Sequence, residues 1–168
     1  MNKDAESPHA VRFAEPRDVD AIVQLIRQLA EFEHLTHVLQ VTPEKLRPHL
    51  FGERPVAEAL VAEVTVDGAN EVVGFALFFT NFSTFLAQPG LYLEDLYVQP
   101  GQRGRGVGEA LLSRVGQLAV ERGCGRFEWS VLDWNAEAIR FYEKMGATVM
   151  PDWRICRVSG DALRHFGP

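Results

Sequence analysis

Residues 91–112 read LYLEDLYVQPGQRGRGVGEALL. This stretch limits the possible folds more than any other. Residues 91–98 form a β-rich run, and from Leu111 the residues Leu111, Val115 and Leu118 recur on one side of a helical pattern. Between them stand Gly101, Gly104, Gly106 and Gly108 with Arg103 and Arg105. Glycine is costly inside a helix or strand, so the cluster must be the turn that joins the two. The first N–H groups of a helix are unpaired and lie at the positive end of its dipole. Glycines let such a backbone close around an anion. Arg103, Gly104, Arg105, Gly106, Val107 and Gly108 are therefore a candidate pyrophosphate seat. A turn without a ligand is the other reading, and spacing alone leaves both open. No Gly-Lys-Ser/Thr follows Gly108, so the P-loop pattern fails. The glycines alternate, so the third glycine of the dinucleotide fingerprint is misplaced.

The flanking chain is a mixture of helices and strands. Residues 11–14 are a short strand candidate. A helix follows from Asp18, its expected N-cap, with Ile22, Leu25, Ile26, Leu29 and Phe32 on one face. Thr42 and Pro43 open a second helix that ends at Gly52, with Pro48 expected to kink or shorten it. Residues 57–66 and 72–80 read as an antiparallel hairpin about Asp67-Gly68. Residues 81–90 read as a loop, and 127–132 as another strand. Asn135 caps a helix over 136–145. Residues 148–150 and 154–159 read as closing strands before a last helix at 161–166. The class is α/β (α+β), with residues 1–10 a flexible polar lead and 11–168 a single domain.

At 168 residues the chain can bury a core without staples. A net charge of −6 argues against nucleic acid as a partner. Two cysteines suit a reducing cytoplasm, and the five histidines show no metal-ligand spacing, so no metal is expected. No apolar run approaches ~18 residues, so no membrane span is expected.

Arg103-x-x-Gly106-x-Gly108, after a strand and before a helix, resembles the acetyl-CoA signature of the GNAT superfamily of N-acetyltransferases. LYLEDLYV, WSVLDWN and AIRFYEKMGA, with QLAEFE and FGERP earlier, resemble its diamine acetyltransferase branch, which acts on spermidine, spermine or thialysine. The resemblance implies the GNAT fold, a mostly antiparallel central sheet flanked by helices. It implies acetyl-CoA as cofactor, a small amine as acceptor and a homodimer with the final strands at its interface.

Acetyl transfer to an amine requires a held cofactor, a neutral amine, a stabilised oxyanion and a proton for the leaving thiolate. The resemblance lays the pantetheine arm along Leu96, Tyr97 and Val98, where the strand pair splays apart. It assigns the proton donor to Tyr142 and adds Asn135, Ala136, Glu137 and Ala138 as cofactor contacts at a helix start. Taken alone, Tyr142 reads as core, because it shares an apolar stripe with Ala138, Ile139, Phe141 and Met145. Asn135 reads equally as an N-cap.

Period two places Glu94 and Asp95 on opposite faces of their strand. Glu94 matches the family's substrate-side glutamate, as cation anchor or water-linked base; Asp95 has no comparable role. Glu33 continues the stripe of Ile22, Ile26 and Leu29 where a leucine would be expected, and with Phe32 it matches the polyamine-contacting helix end. Glu128, Trp129 and Ser130 match the substrate wall, and Trp153 an aromatic near the site, with Asp152 adding negative charge. The chain has Pro151-Asp152 before Trp153 where the animal spermidine enzymes carry glutamates, lacks their aspartate in the loop 81–90, and has no acidic residue in HLTHVLQ after Glu33. Fewer carboxylates favour a shorter amine: a diamine, or thialysine, ornithine or lysine. The rival readings are a peptide N-terminus or an antibiotic amine as acceptor, a nucleotide-phosphate protein, and an acyl-CoA-binding regulator without chemistry.

Overall fold

The computed structural model describes residues 9–167, which fall into two compact units divided after Ser130. The expected polar lead therefore lies almost wholly outside the described residues. Its last residue, Ala10, already opens a strand.

The first unit holds β1 (Ala10–Phe13), α1 (Val19–Phe32), α2 (Pro43–Phe51), β2 (Glu58–Val66), β3 (Ala69–Ser83), β4 (Gln88–Val98), α3 (Val107–Glu121) and β5 (Arg126–Trp129). The strands form one sheet in the order β1-β2-β3-β4-β5. Four pair antiparallel in chain sequence, and β5 joins β4 in parallel after the α3 crossover. This is the mostly antiparallel sheet flanked by helices that the sequence implied. The second unit holds α4 (Ala136–Lys144) and α5 (Gly160–Arg164).

Both faces of the sheet are covered by helices. Ile22 and Leu25 of α1 pack with Leu50 of α2 on Ala59, Val61, Phe75, Leu77 and Tyr97. On the opposite face, a Cβ at Gly74 would lie 3.3 Å from Leu111 of α3, and one at Gly116 would lie 3.9 Å from Phe127. Full burial of each such leucine, isoleucine or phenylalanine contributes about 1.5–3 kcal/mol. Alternation along β3 assigns Phe75 and Leu77 to the α1 face and Gly74 and Phe78 to the α3 face.

Local chemistry sets the element ends. Asp67 (φ 50°) and Gly68 (φ 82°) form the two-residue turn between β2 and β3, the left-handed pair that suits strand twist. Thr42 Oγ1 accepts from the Lys45 N–H at 3.3 Å and caps α2. Pro48 sits within that nine-residue helix. Asp18 does not cap α1 with its side chain. Its carboxylate accepts from the Glu15 N–H at 2.7 Å and from Arg12 at 2.7 and 2.9 Å. Burial pushes that carboxyl up, but the bonds from Arg12 and Glu15 outweigh it, and the net shift is downward. Arg12 also pairs with Glu63, so one guanidinium serves two carboxylates. Arg12→Met should cost about 3–5 kcal/mol at neutral pH, because Asp18 is left charged at 4% exposure without its partner. Urea unfolding measures it, and a cost below 1 kcal/mol would assign the network no weight in stability.

Two further expectations fail. Residues 81–90 are not a loop. Asn81, Phe82 and Ser83 pair with Gly90, Pro89 and Gln88, leaving only 84–87 as the turn. Pro89 and Gly90 looked like strand breakers. Yet the Pro89 carbonyl still accepts from the Gly125 N–H at 2.9 Å. Gly90 is required by closeness, since a Cβ there would meet Asn81 Oδ1 at 2.5 Å. Residues 148–150 and 154–159 are not strands. Alternation describes side chains only; a strand also needs a neighbouring backbone, and neither segment has one among the described residues. The fourth helix ends at Lys144, and β5 ends at Trp129, three residues short of its expected end.

Candidate active site

The glycine turn begins where β4 ends. Gly104 (φ 73°) and Gly106 (φ 82°) both adopt the left-handed conformation. A Cβ on Gly104 would meet nothing within 4 Å, so the space over the turn is open. Gly106 is the N-cap of α3 and supplies no side chain to its first N–H groups. These donors remain for an anion. Beside Gly106 lies His9, whose Cε1 is 3.8 Å from the position of a Cβ. Its Nδ1 is buried without a partner among the described residues. A phosphate group would satisfy these donors, so the turn fits a phosphate-bearing cofactor.

The strand leading in has an open edge. β5 pairs with β4 only from Gly90 to Leu93, while β4 continues to Val98. Residues 94–98 thus present unpaired backbone groups on that side among the described residues, a ready partner for an extended arm. Leu96, Tyr97 and Val98 lie on this stretch. The Val98 carbonyl is taken by Arg103 Nε at 2.9 Å. Arg105 reaches only Gln102, at 3.3 Å, among the described residues.

The carboxylates assemble for a reason the sequence hid. Leu77 pairs with Asp95, but Phe78 pairs with Leu93, so Glu94 is an extra residue in a β-bulge. Leu93 consequently faces α3, while Asp95, two residues on, faces α1. Strict alternation would have put them on one face. Asp95 therefore stands on the apolar α1-covered face, next along from Tyr97. Burial, then the charges of Glu94 and Glu33, push its carboxyl up to about 7. Glu33 caps the C-terminal end of α1 at helical angles, so its side chain stays on the stripe. Half-burial raises its carboxyl too. Glu94 is exposed at the bulge. Glu33, Glu94 and Asp95 thus form one electrostatically coupled group, and Asp95 is the member that sequence reasoning passed over.

Phe32, Tyr97 and Arg103 meet around a groove of about 490 Å³, between the end of α1 and the start of the turn. The wall residues divide. Glu128, opposite Tyr92, lies on the α1 face, where it accepts from Asn81 at 3.0 Å and pairs with Arg126 at 3.3 Å. Ser130 Oγ is 2.8 Å from the Tyr92 hydroxyl. Trp129, opposite Leu93, lies on the α3 face against Phe127.

In the second unit, Asn135 Oδ1 accepts from the Ala138 N–H at 3.1 Å and caps α4, with Ala136, Glu137 and Ala138 in its first turn. Tyr142 lies in the last half of that helix, its ring centroid 5.3 Å from that of Phe141. Asp152 and Trp153 are exposed on the irregular segment beyond.

An open strand edge leading into a glycine-built helix N-terminus, on a sheet of this order, has the form of a coenzyme-A-dependent acyltransferase. Residues 21–147 match the acetyltransferase (GNAT) family, and the chain belongs to it. It is similar to the thialysine N-epsilon-acetyltransferase of Mus musculus, 38% identical over 93% of this chain and 95% of that protein. It is 37% identical to the L-ornithine N5-acetyltransferase NATA1 of Arabidopsis thaliana, over 92% of this chain and 86% of the other. The fold matches an integron cassette protein from the mobile metagenome of V. cholerae with a TM-score of 0.76 at 21% identity, covering 95% of this chain and 97% of that one. The protein is thus an acetyl-CoA-dependent N-acetyltransferase that transfers acetyl to an amine. No helix among the described residues is long and apolar enough to cross a membrane.

Proposed function

We propose that the acceptor is a small cation with a primary amine, of the thialysine, ornithine, lysine or diamine type. The observation that carries this is the convergence of Glu33, Glu94 and Asp95 where α1 ends over β4. Acetyl-CoA supplies the activated acetyl group when bound. Glu33 and Glu94 hold the cationic acceptor by charge. Asp95 receives the ammonium proton, because a carboxyl pushed up to about 7 is the best-matched proton acceptor of the three. Backbone N–H groups of residues 104–108 hold the cofactor phosphates, that of Arg103 being taken by the Pro100 carbonyl at 3.3 Å, and Tyr142 donates a proton to the departing sulfur. The relatives acting on thialysine and ornithine support this substrate class. Cytoplasmic location, a single working domain and a homodimer belong to the same proposal.

The test is an acetyl-CoA assay read by free thiol across a panel of amines. Thialysine, ornithine, lysine or short diamines should exceed spermine and N-terminal peptides by about tenfold or more in kcat/KM, the effect of about 1.4 kcal/mol in discrimination. Acetylation of peptides or aminoglycosides with none of these small amines would sink the substrate class.

A further inference from the structure

The turn carries two arginines, and they stand in different surroundings. Arg105 has the side chain of Gln102, at 3.3 Å, as its one hydrogen-bond partner among the described residues. Arg103 is turned the other way. Its Cζ lies 5.2 Å from the ring centroid of Phe32 and 5.3 Å from that of Tyr97. Its Nε donates to the Val98 carbonyl at 2.9 Å. No carboxylate lies within ion-pair reach of it among the described residues. The guanidinium is thus held by two aromatic rings and one carbonyl.

We propose that Arg103 is a positioning residue for the amine site, clamping the end of α1 to β4, and is not a side-chain ligand of the cofactor phosphates. The inference rests on the three-carboxylate reading of the acceptor site. Each ring that Arg103 holds adjoins one of those carboxylates. Phe32 immediately precedes Glu33. Tyr97 follows Asp95 on the same face of β4. The end of α1 needs such a hold: the chain leaves the helix through His34, at φ 59°, and terminal turns fray without packing. A planar guanidinium can present its flat face to aromatic rings while its edge donates to the Val98 carbonyl; an ammonium has no flat face to lay against two rings and is more strongly hydrated.

The position of Glu33 relative to Asp95 is then set by Arg103. The charge of Glu33 helps to raise the Asp95 carboxyl. Releasing the clamp should therefore weaken acceptor binding and also shift the acid limb of the pH profile. The seat keeps its backbone donors and Arg105, so cofactor affinity should hardly change.

The experiment compares Arg103→Lys, Phe32→Leu and Arg105→Met with the unmodified enzyme, using whichever small amine that enzyme acetylates best. Calorimetry with CoA gives cofactor affinity; steady-state kinetics against pH gives amine KM and the acid limb. Arg103→Lys should raise amine KM on the order of tenfold and move the acid limb to lower pH, with CoA Kd within about twofold. Phe32→Leu, which removes one ring and leaves the turn intact, should reproduce both effects in smaller measure. Arg105→Met should do the reverse, raising CoA Kd and leaving amine KM alone. The clamp is overturned if Arg103→Lys raises CoA Kd as much as amine KM, if neither moves, or if the acid limb stays in place. A wild-type enzyme that acetylates no small amine overturns the substrate reading instead, and that result is visible before any variant is made.

Discussion

Asp95→Asn is expected to lower kcat/KM by a factor of about 10²–10³, the usual worth of a positioned proton acceptor, and to make the protein more stable above pH 7. The two effects have one cause. The carboxyl is pushed up to about 7 by burial and by the negative charges of Glu94 and Glu33. Below that pH it is protonated and can neither attract an ammonium nor accept its proton. Wild-type kcat/KM should therefore climb as pH rises through about 7, and this limb should vanish in the variant. For stability the sign runs the other way. The native state retains a proton that the unfolded chain loses at ordinary carboxylate pH. Stability from this group is therefore complete below the ordinary carboxylate range, about pH 4, and is lost progressively as pH rises from there to about 7. Asparagine has nearly the same shape and carries no charge, so it removes the repulsion that appears there. Urea unfolding at about pH 4 and about pH 8 should show the variant close to wild type at the first and more stable at the second. A residue with only a packing role would lose stability at both. If the acid limb survives in Asp95→Asn, the proton goes elsewhere, and Glu94 through water is the next assignment.

Glycine spacing made the left-handed turn before α3 legible, because a Gly-rich stretch between a strand and a helix has few structural uses. The Asp67-Gly68 hairpin and the Thr42 and Asn135 caps were equally readable, since each is a local rule acting on a few adjacent residues. The site's decisive feature was not local. Whether Asp95 faces α1 or α3 depends on one unpaired residue, Glu94, whose bulge is fixed by how Leu77 and Phe78 register across the sheet. Period two must fail there, and no composition signal marks the place. The same limit hid the length of the β3–β4 hairpin, where Pro89 and Gly90 look like breakers until their cross-strand neighbours are known. It also hid Arg103, which reads as a phosphate-binding charge in sequence and stacks on two rings in the structure. Alternation misled in the other direction at 148–159, where a strand-like pattern has no neighbouring backbone to pair with.

Tyr142→Phe is expected to lower kcat by a factor of about 10²–10⁴ while leaving CoA affinity and unfolding free energy nearly unchanged. The substitution is chosen for the ambiguity of this residue. Tyr142 lies on α4 beside Phe141, on a stripe that could be nothing more than apolar packing. Phenylalanine keeps the ring and its contacts, so a packing role predicts little change in rate. Only the hydroxyl is lost, and a proton donor is defined by its hydroxyl. The acid role also predicts how the deficit depends on the leaving group. Departure of a thiolate needs less help from an acid as its thiol becomes more acidic. An acetyl donor with a more acidic leaving thiol than CoA should therefore narrow the gap between Tyr142→Phe and wild type. A deficit that stays constant across donors would place the hydroxyl in acceptor binding instead. A variant with full activity would remove Tyr142 from the chemistry and leave the departing thiolate to take its proton from solvent.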